Sequence, residues 1–344
     1  MPFTYRQRLP EAETIRQQLP LTPALRELKT VRDRAVVDII CGRSDKFLLI
    51  IGPCSADNEN AVCEYVSRLA ALQDRVRDRL LLLPRIYTNK PRTTGIGYKG
   101  MAHQPNPQDE PNIVEGILAI RRLHLRALQE SGLGSADEML YPFNSPYLED
   151  LLSYVAIGAR SVENQEHRLT VSGLDIPVGM KNSTGGDIGV MLNAVKAAQS
   201  PHVFSYNGWE VETSGNPYTH AVLRGATSPF GKMIPNYHYE DIVNLRRLYQ
   251  DSGLVNPAVI IDVSHANSAK NFAQQPRVAE EVLHSLRFAP ELRSFVRGLM
   301  IESYLVEGAQ DVQGGVYGKS ITDACLGWDA SERLVLRIAE LLNE

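Results

Sequence analysis

LLLLPRIYTNKPRTTGIGYKG, residues 80–100, decides the fold. Its opening leucines form a continuous apolar run, as in a strand buried on both faces, and such strands belong to parallel sheets covered by helices. The run stops at Pro84, and Arg85 follows at once. Lys90, Arg92, Thr93 and Thr94 come next, then Gly95, Gly97, Lys99 and Gly100. A buried strand thus delivers a cation to its tip and runs into a loop of cations, hydroxyls and glycines. Guanidinium forks grip phosphate and carboxylate oxygens, an ammonium adds a point charge, and glycines let backbone N–H groups approach. In isolation the loop reads equally as a solvated basic turn. Other strands that end the same way decide between the two.

Upstream, FLLIIGPCS (47–55) is a second doubly buried strand, ending at Cys54 and Ser55. Between the two strands, residues 58–74 read as a helix. Before them, residues 30–41 form an amphipathic helix with Val31, Ala35, Val36, Ile39 and Ile40 on one face and Gly42 as its stop. Residues 1–29 read as an arm with a short helix near 10–18, broken by Pro20 and Pro23. The arm is too polar for a core, so it packs on the body or on another subunit.

Downstream the alternation continues. Helix 113–131 stops at Gly132, strand 138–143 follows, then helix 146–155. AIGAR (156–160) and PVGMK (177–181) are strands, and 188–198 is a helix. Residues 203–206 and 210–213, joined by Asn207-Gly208, read as a hairpin outside the alternation. THAVLR (219–224), AVIIDVSH (258–265) and GLMIE (298–302) are strands separated by helices 239–252 and 276–287. A glycine-rich loop leads to a last helix at 331–342.

Strands alternating with helices in this way predict a (β/α)₈ barrel over residues 46–344, with an N-terminal arm and helix (1–45) and a hairpin inserted at about 202–214. The polar residues at strand ends are Cys54, Arg85, Glu138, Arg160, Lys181, Arg224, His265 and Glu302. Catalytic groups of such barrels sit at that face. Arg85, Lys90, Arg92, Arg160, Lys181 and Arg224 would repel one another in one mouth unless anions are held there. Cys54, His265 and Glu302, with Asp323 from the final loop, suit a divalent transition metal; the alternative for the thiol is core packing. Cys41, Cys63 and Cys325 read as packed thiols, Trp209 and Trp328 as packing or turn residues, and the remaining histidines as surface or helix positions.

Composition excludes several classes. A net charge of −4, with 22% charged residues, has no basic excess to recruit nucleic acid. The N-terminus is polar and proline-broken, with neither a signal peptide nor a membrane span. The four cysteines lack finger-like spacing, as in a reduced, cytoplasmic protein with free thiols.

IGPCS (51–55), KPRTT (90–94), GYKG (97–100), AIGAR (156–160), Lys181-Asn182, LRG (223–225), SHANS (264–268), IES (301–303), VEG (306–308) and YGKSITDAC (317–325) together resemble the type I 3-deoxy-D-arabino-heptulosonate 7-phosphate (DAHP) synthases, the shorter, feedback-regulated class. The resemblance spans nearly the whole chain. It implies a metal-dependent transferase that condenses phosphoenolpyruvate with erythrose 4-phosphate, the first step of the shikimate pathway. It implies a divalent metal ion of the Mn, Fe, Co or Zn class on Cys54, His265, Glu302 and Asp323. Arg85, Lys90, Arg160, Lys181 and Arg224 would hold phosphoenolpyruvate, with Glu138 behind it. Arg92 and Thr93 would meet the sugar phosphate, Lys90 would move the proton, and the enzyme would be a homodimer or homotetramer.

The chain departs from the family where the family's inhibitor pocket is expected. Tyr141 stands where an aspartate is usual, and Asp175, in GLDIP, where a serine is; Phe204, Tyr206 and Val211 of the hairpin would face them. STGG (183–186), GNPY (215–218), Ala56-Asp57 and an insertion in TSPFGKMIPNY (227–237) also depart. They leave open a secondary-metabolism paralogue with altered feedback or another aldose phosphate. A non-catalytic binding subunit would have lost a ligand or Lys90, and all are present.

Overall fold

The computed structural model describes residues 2–343. Eight parallel strands form one sheet: β1 Phe47–Gly52, β2 Leu80–Pro84, β3 Ala136–Glu138, β4 Tyr154–Ile157, β5 Val178–Lys181, β6 Thr219–Leu223, β7 Val259–Asp262 and β8 Val296–Glu302. Their order around the sheet is 2-1-8-7-6-5-4-3. The ends meet where Arg85 bridges Ala136 in parallel and the Ile86 N–H donates to the Ala136 carbonyl at 2.8 Å. The sheet is therefore a (β/α)₈ barrel, with helices between the strands.

Every residue of β1 and β2 is buried, because one face meets helices and the other fills the barrel. Leu48, Ile50, Leu81, Leu83, Val222 and Ile260 share the interior cluster. Side chains alternate with a period of two. Stepping on from Leu81 and Leu83 gives Arg85; from Val222, Arg224; from Ile260, Asp262; from Met300, Glu302. The inward stripe changes from apolar to charged at the strand tips, and that change makes the site. At the other end, helix Pro23–Ile40 sets Val36, Ile39 and Ile40 against the interior cluster.

Several elements differ from their sequence reading. Pro23 occupies the first turn of Pro23–Ile40, with the Thr22 hydroxyl accepting from the Leu25 N–H, so the proline starts the helix instead of ending the arm. Val31 lies on the outer face at 61% exposure. β3 ends at Glu138, and Pro142–Tyr147 is a 3-10 helix where strand and then α-helix were expected. Pro142 and Pro146 offer no N–H to a ladder or to an α-helical turn. β4 begins at Tyr154 and ends at Ile157, so Arg160 sits in the turn beyond it. Helix Gln165–Ser172 then follows, where none was read. His124 and His167 are helix positions, as read, whereas His220 is on β6; all three are buried and each has a hydrogen-bond partner: Ser135, the Leu140 carbonyl and Tyr154 respectively. The arm's helix Ala12–Gln18 buries Ile15 in a cluster with Ile117 and Tyr147.

Candidate active site

The C-terminal strand tips enclose a cavity of 330 Å³. Cys54, Arg85, Lys90, Arg92, Thr93, Glu138, Arg160, Lys181, Arg224, His265 and Asp323 all line it. Glu302 lies deeper, in a small side cavity that shares His265, Lys270 and Asp323 with the main one. Residues read from nine separate places in the chain thus converge.

The cations sort into two kinds. Arg85 is fixed by Glu302 at 3.1 Å and by the Pro53 carbonyl, with its guanidinium over the Tyr87 ring. Burial would lower its pKa, but Glu302 keeps it raised. Lys181 pairs with fully buried Asp262 at 3.0 Å. Lys90 donates to Asp323 Oδ2 at 2.8 Å and to Cys54 Sγ at 2.7 Å. By contrast, Arg92, Arg160 and Arg224 have no carboxylate partner among the described residues. Arg224 Nη1 is buried without any hydrogen-bond partner. Its pKa is lowered, first by burial and then by Arg160 beside it. A buried, unpartnered donor next to a second guanidinium is an anion site in waiting.

The proposed metal ligands form two facing pairs. Cys54 Sγ lies 3.4 Å from Asp323 Oδ2, and His265 Nε2 lies 3.8 Å from Glu302 Oε1. Among the described residues no three His, Cys, Asp or Glu side chains cluster as a metal site; the Lys90 ammonium bridges the first pair instead. The donor chemistry nonetheless fits a divalent ion: one thiol, one imidazole and two carboxylates, all facing connected cavities. Burial and Glu302 push the Cys54 thiol up to about 11, with Lys90 pulling the other way. Asp323 stays ionised, because Lys90 outweighs burial and holds its pKa well below the usual carboxylate range.

Asp262 escaped the sequence reading. Its Oδ2 lies 2.9 Å from His265 Nδ1, and its Oδ1 accepts from the Ser264 hydroxyl at 2.6 Å. Burial alone would raise its pKa, but His265 and Lys181 hold it well below the ordinary value. Gln275 likewise clamps the Glu302 backbone, donating to its carbonyl at 2.9 Å and accepting from its N–H at 2.8 Å. Thr184 and Thr227, from the departing stretches 183–186 and 227–237, also line the cavity, as does Lys270, which was not singled out. The inward period of β7 was the signal available for Asp262; Lys270 carried none.

The expected effector residues divide. Phe204, Tyr206 and Val211 line a second cavity of 300 Å³ together with Glu149, Leu174 and Glu212. Tyr141 is elsewhere, 41% exposed, with its ring 5.6 Å from that of His103. It precedes the 3-10 helix and is absent from the lining of the hairpin cavity. Asp175 is exposed and does not line the cavity either; its neighbour Leu174 takes that place. Glu149, paired with Arg16 of the arm, supplies the carboxylate instead.

Comparison with known proteins agrees with this fold. The model of the DAHP synthetase I family matches residues 18–336. The chain is 40% identical over 319 residues to the Phe-sensitive phospho-2-dehydro-3-deoxyheptonate aldolase of Escherichia coli (strain K12), covering 90% of this chain and 87% of that one. It is 38% identical over 351 residues to the Tyr-sensitive form of Salmonella typhimurium (strain LT2), covering 99% and 95%. The solved structure of phospho-2-dehydro-3-deoxyheptonate aldolase from Francisella tularensis SCHU S4 superposes with a TM-score of 0.92 at 31% identity, covering 99% of this chain and 98% of that one.

Proposed function

The chain belongs to the DAHP synthetase I family, and from that membership we propose that it condenses phosphoenolpyruvate with erythrose 4-phosphate and water, giving DAHP and inorganic phosphate at the head of the shikimate pathway. The observation that carries the reading is one cavity holding anion-seeking arginines beside a Cys54–Lys90–Asp323 triad.

Arg160 and Arg224, lacking carboxylate partners, orient phosphoenolpyruvate, with paired Arg85 and Lys181 beneath it. Arg92 and Thr93 take the phosphate of the sugar. Cys54, His265, Glu302 and Asp323 would hold a divalent ion, which would supply Lewis-acid chemistry for the aldehyde when bound. The nucleophilic carbon of the enol phosphate attacks the aldehyde carbon. Lys90 stays protonated, since Cys54 and Asp323 outweigh its burial, so it holds a proton for the oxygen that becomes the new hydroxyl. Positive character develops at the phosphate-bearing carbon, water adds there, and the C–O bond to phosphate breaks. Fixed guanidinium charges stabilise the negative charge gathering on the departing phosphate without reorganising.

Phosphate release, followed with both substrates and with each alone, tests the reading. Turnover should need both, stop with chelator, and vanish in Cys54→Ala while the fold persists. Turnover by Cys54→Ala in the presence of chelator would reject the ligand set.

A second reading, another aldose phosphate, is favoured by the short ribbon Ala226–Thr227 with Met233–Ile234, which brings Thr227 into the cavity lining. Rates with a panel of short aldose phosphates separate the two. For regulation, the hairpin cavity suits an aromatic amino acid, the kind of effector for which relatives are named. Glu149 and Glu212 would meet the ammonium, and Phe204, Tyr206, Val211 and Leu174 the ring.

A further inference from the structure

Among the described residues five non-glycine residues have left-handed backbone: Asn207, Asn256, His265, Ala269 and Lys270. Asparagine and histidine tolerate that region, whereas the Cβ of alanine or lysine crowds the following carbonyl oxygen there. Three of the five fall within SHANSAK, residues 264–270. Strain of this kind persists only where the surroundings impose it, and it collects at functional sites.

Hydrogen bonds hold the segment. The Lys270 N–H donates to the His265 carbonyl at 2.7 Å, the Ala269 N–H to Ala266 at 3.1 Å, and the Asn271 N–H to Ser268 at 2.9 Å. Asn267 anchors it to β7 by donating to the Asp262 carbonyl at 2.8 Å. The chain leaves His265, turns sharply back, and sets Lys270 on the lining of both the main cavity and the side cavity. A relaxed exit from the 3-10 turn would have no need of two consecutive left-handed residues. Lys270 is exposed and has no carboxylate partner among the described residues. It is therefore a fourth unneutralised cation on this cavity, with Arg92, Arg160 and Arg224.

We propose that Lys270 is a further substrate-binding residue, whose ammonium takes a phosphate dianion at the cavity mouth. The proposal rests on the function given above for its substrates, since two phosphate-bearing molecules must share this cavity and the motif-borne cations leave one unneutralised cation unassigned. The strained backbone is what places it: the turn sets the exposed lysine on the rim of both cavities.

The test is Lys270→Met, beside Lys270→Arg and Lys270→Gly, in full-length enzyme with thermal melting as the fold control. Lys270→Met should raise the Michaelis constant of one substrate roughly tenfold or more, as loss of one charge-assisted contact does, and should flatten the dependence of kcat/KM on salt. A rise confined to the sugar phosphate assigns its phosphate. A rise confined to phosphoenolpyruvate, with weaker product inhibition by inorganic phosphate, assigns that one. Lys270→Arg should restore most of the loss. Lys270→Gly relieves the backbone yet removes the charge, so it should be as defective as Lys270→Met while melting no lower than wild type. Wild-type constants in Lys270→Met, or wild-type activity in Lys270→Gly, would overturn the proposal. Calorimetry with inorganic phosphate keeps it separate from the assigned reaction. If wild type turns over neither substrate, the reaction assignment fails, and Lys270 still stands or falls on whether Lys270→Met weakens phosphate binding.

Discussion

Asp262 does not line the cavity, yet it decides which nitrogen of His265 faces it. Held on Nδ1 at 2.9 Å, the imidazole presents Nε2 toward Glu302. A carboxylate behind a ligating histidine fixes tautomer and orientation, and its loss costs roughly 10–100-fold in metal affinity. Asp262→Asn should therefore weaken binding of a divalent ion by about that factor in a direct titration, and should also release Lys181. Unchanged metal affinity would show that His265 is held by other means. At this scale the sequence was legible where a strand's inward period ran straight into its tip. Arg85, Arg224 and Glu302 follow that rule. Asp262 obeys it too, but the run AVIIDVSH reads as a strand through to His265, three residues beyond the point where β7 stops at Asp262. Lys270 could not be read at all, because its place depends on a backbone turn that no side-chain pattern announces.

Among the elements, the hairpin was legible because Asn207 and Gly208 both accept positive φ, 51° and 79°, and so make the tight turn that pairs His202–Tyr206 with Trp209–Thr213. Helix Ile113–Ser131 was legible from its ends: Asn112 caps it and Gly132 stops it at φ 65°. The stretch 141–155 was not, because two prolines and a short spacing replaced the expected strand and helix by a 3-10 turn. That error hid Glu149 and misplaced Tyr141. The consequence is testable. With Glu149 lining the hairpin cavity, the missing aspartate at Tyr141 does not remove the charge an effector ammonium needs. Titration with phenylalanine, tyrosine and tryptophan should find one that inhibits at concentrations leaving the others silent. Val211→Trp should fill the cavity and abolish that inhibition, and Glu149→Gln should weaken it, both with little change in uninhibited rate. Inhibition undiminished in Val211→Trp would place the effector elsewhere.

For the whole molecule, the barrel's own filling sets a pH dependence of stability that the surface charges do not. His220 points into the barrel below Arg224, with Tyr154 at 2.9 Å on Nε2 and the Tyr218 carbonyl at 2.9 Å on Nδ1. Burial pushes its pKa down to about 4. In the unfolded chain it titrates near 6.5. Between those values the unfolded state binds a proton that the folded state refuses, so the stability His220 permits above pH 6.5 falls as pH drops toward 4, by about 3 kcal/mol in all. Asp57 works in the opposite direction. Burial, only partly offset by the Tyr304 hydroxyl at 3.0 Å, raises its pKa to about 6. Its carboxyl takes up a proton in the folded state first, so acidification from pH 6 toward 4 favours folding by a similar about 3 kcal/mol. The two contributions oppose each other between pH 7 and 5. Single variants should uncover the slopes. His220→Gln, compared with wild type by urea midpoints across that range, should grow more stable on acidification, and Asp57→Asn should grow less stable. Parallel profiles for all three proteins would mean that neither group keeps its buried state in solution.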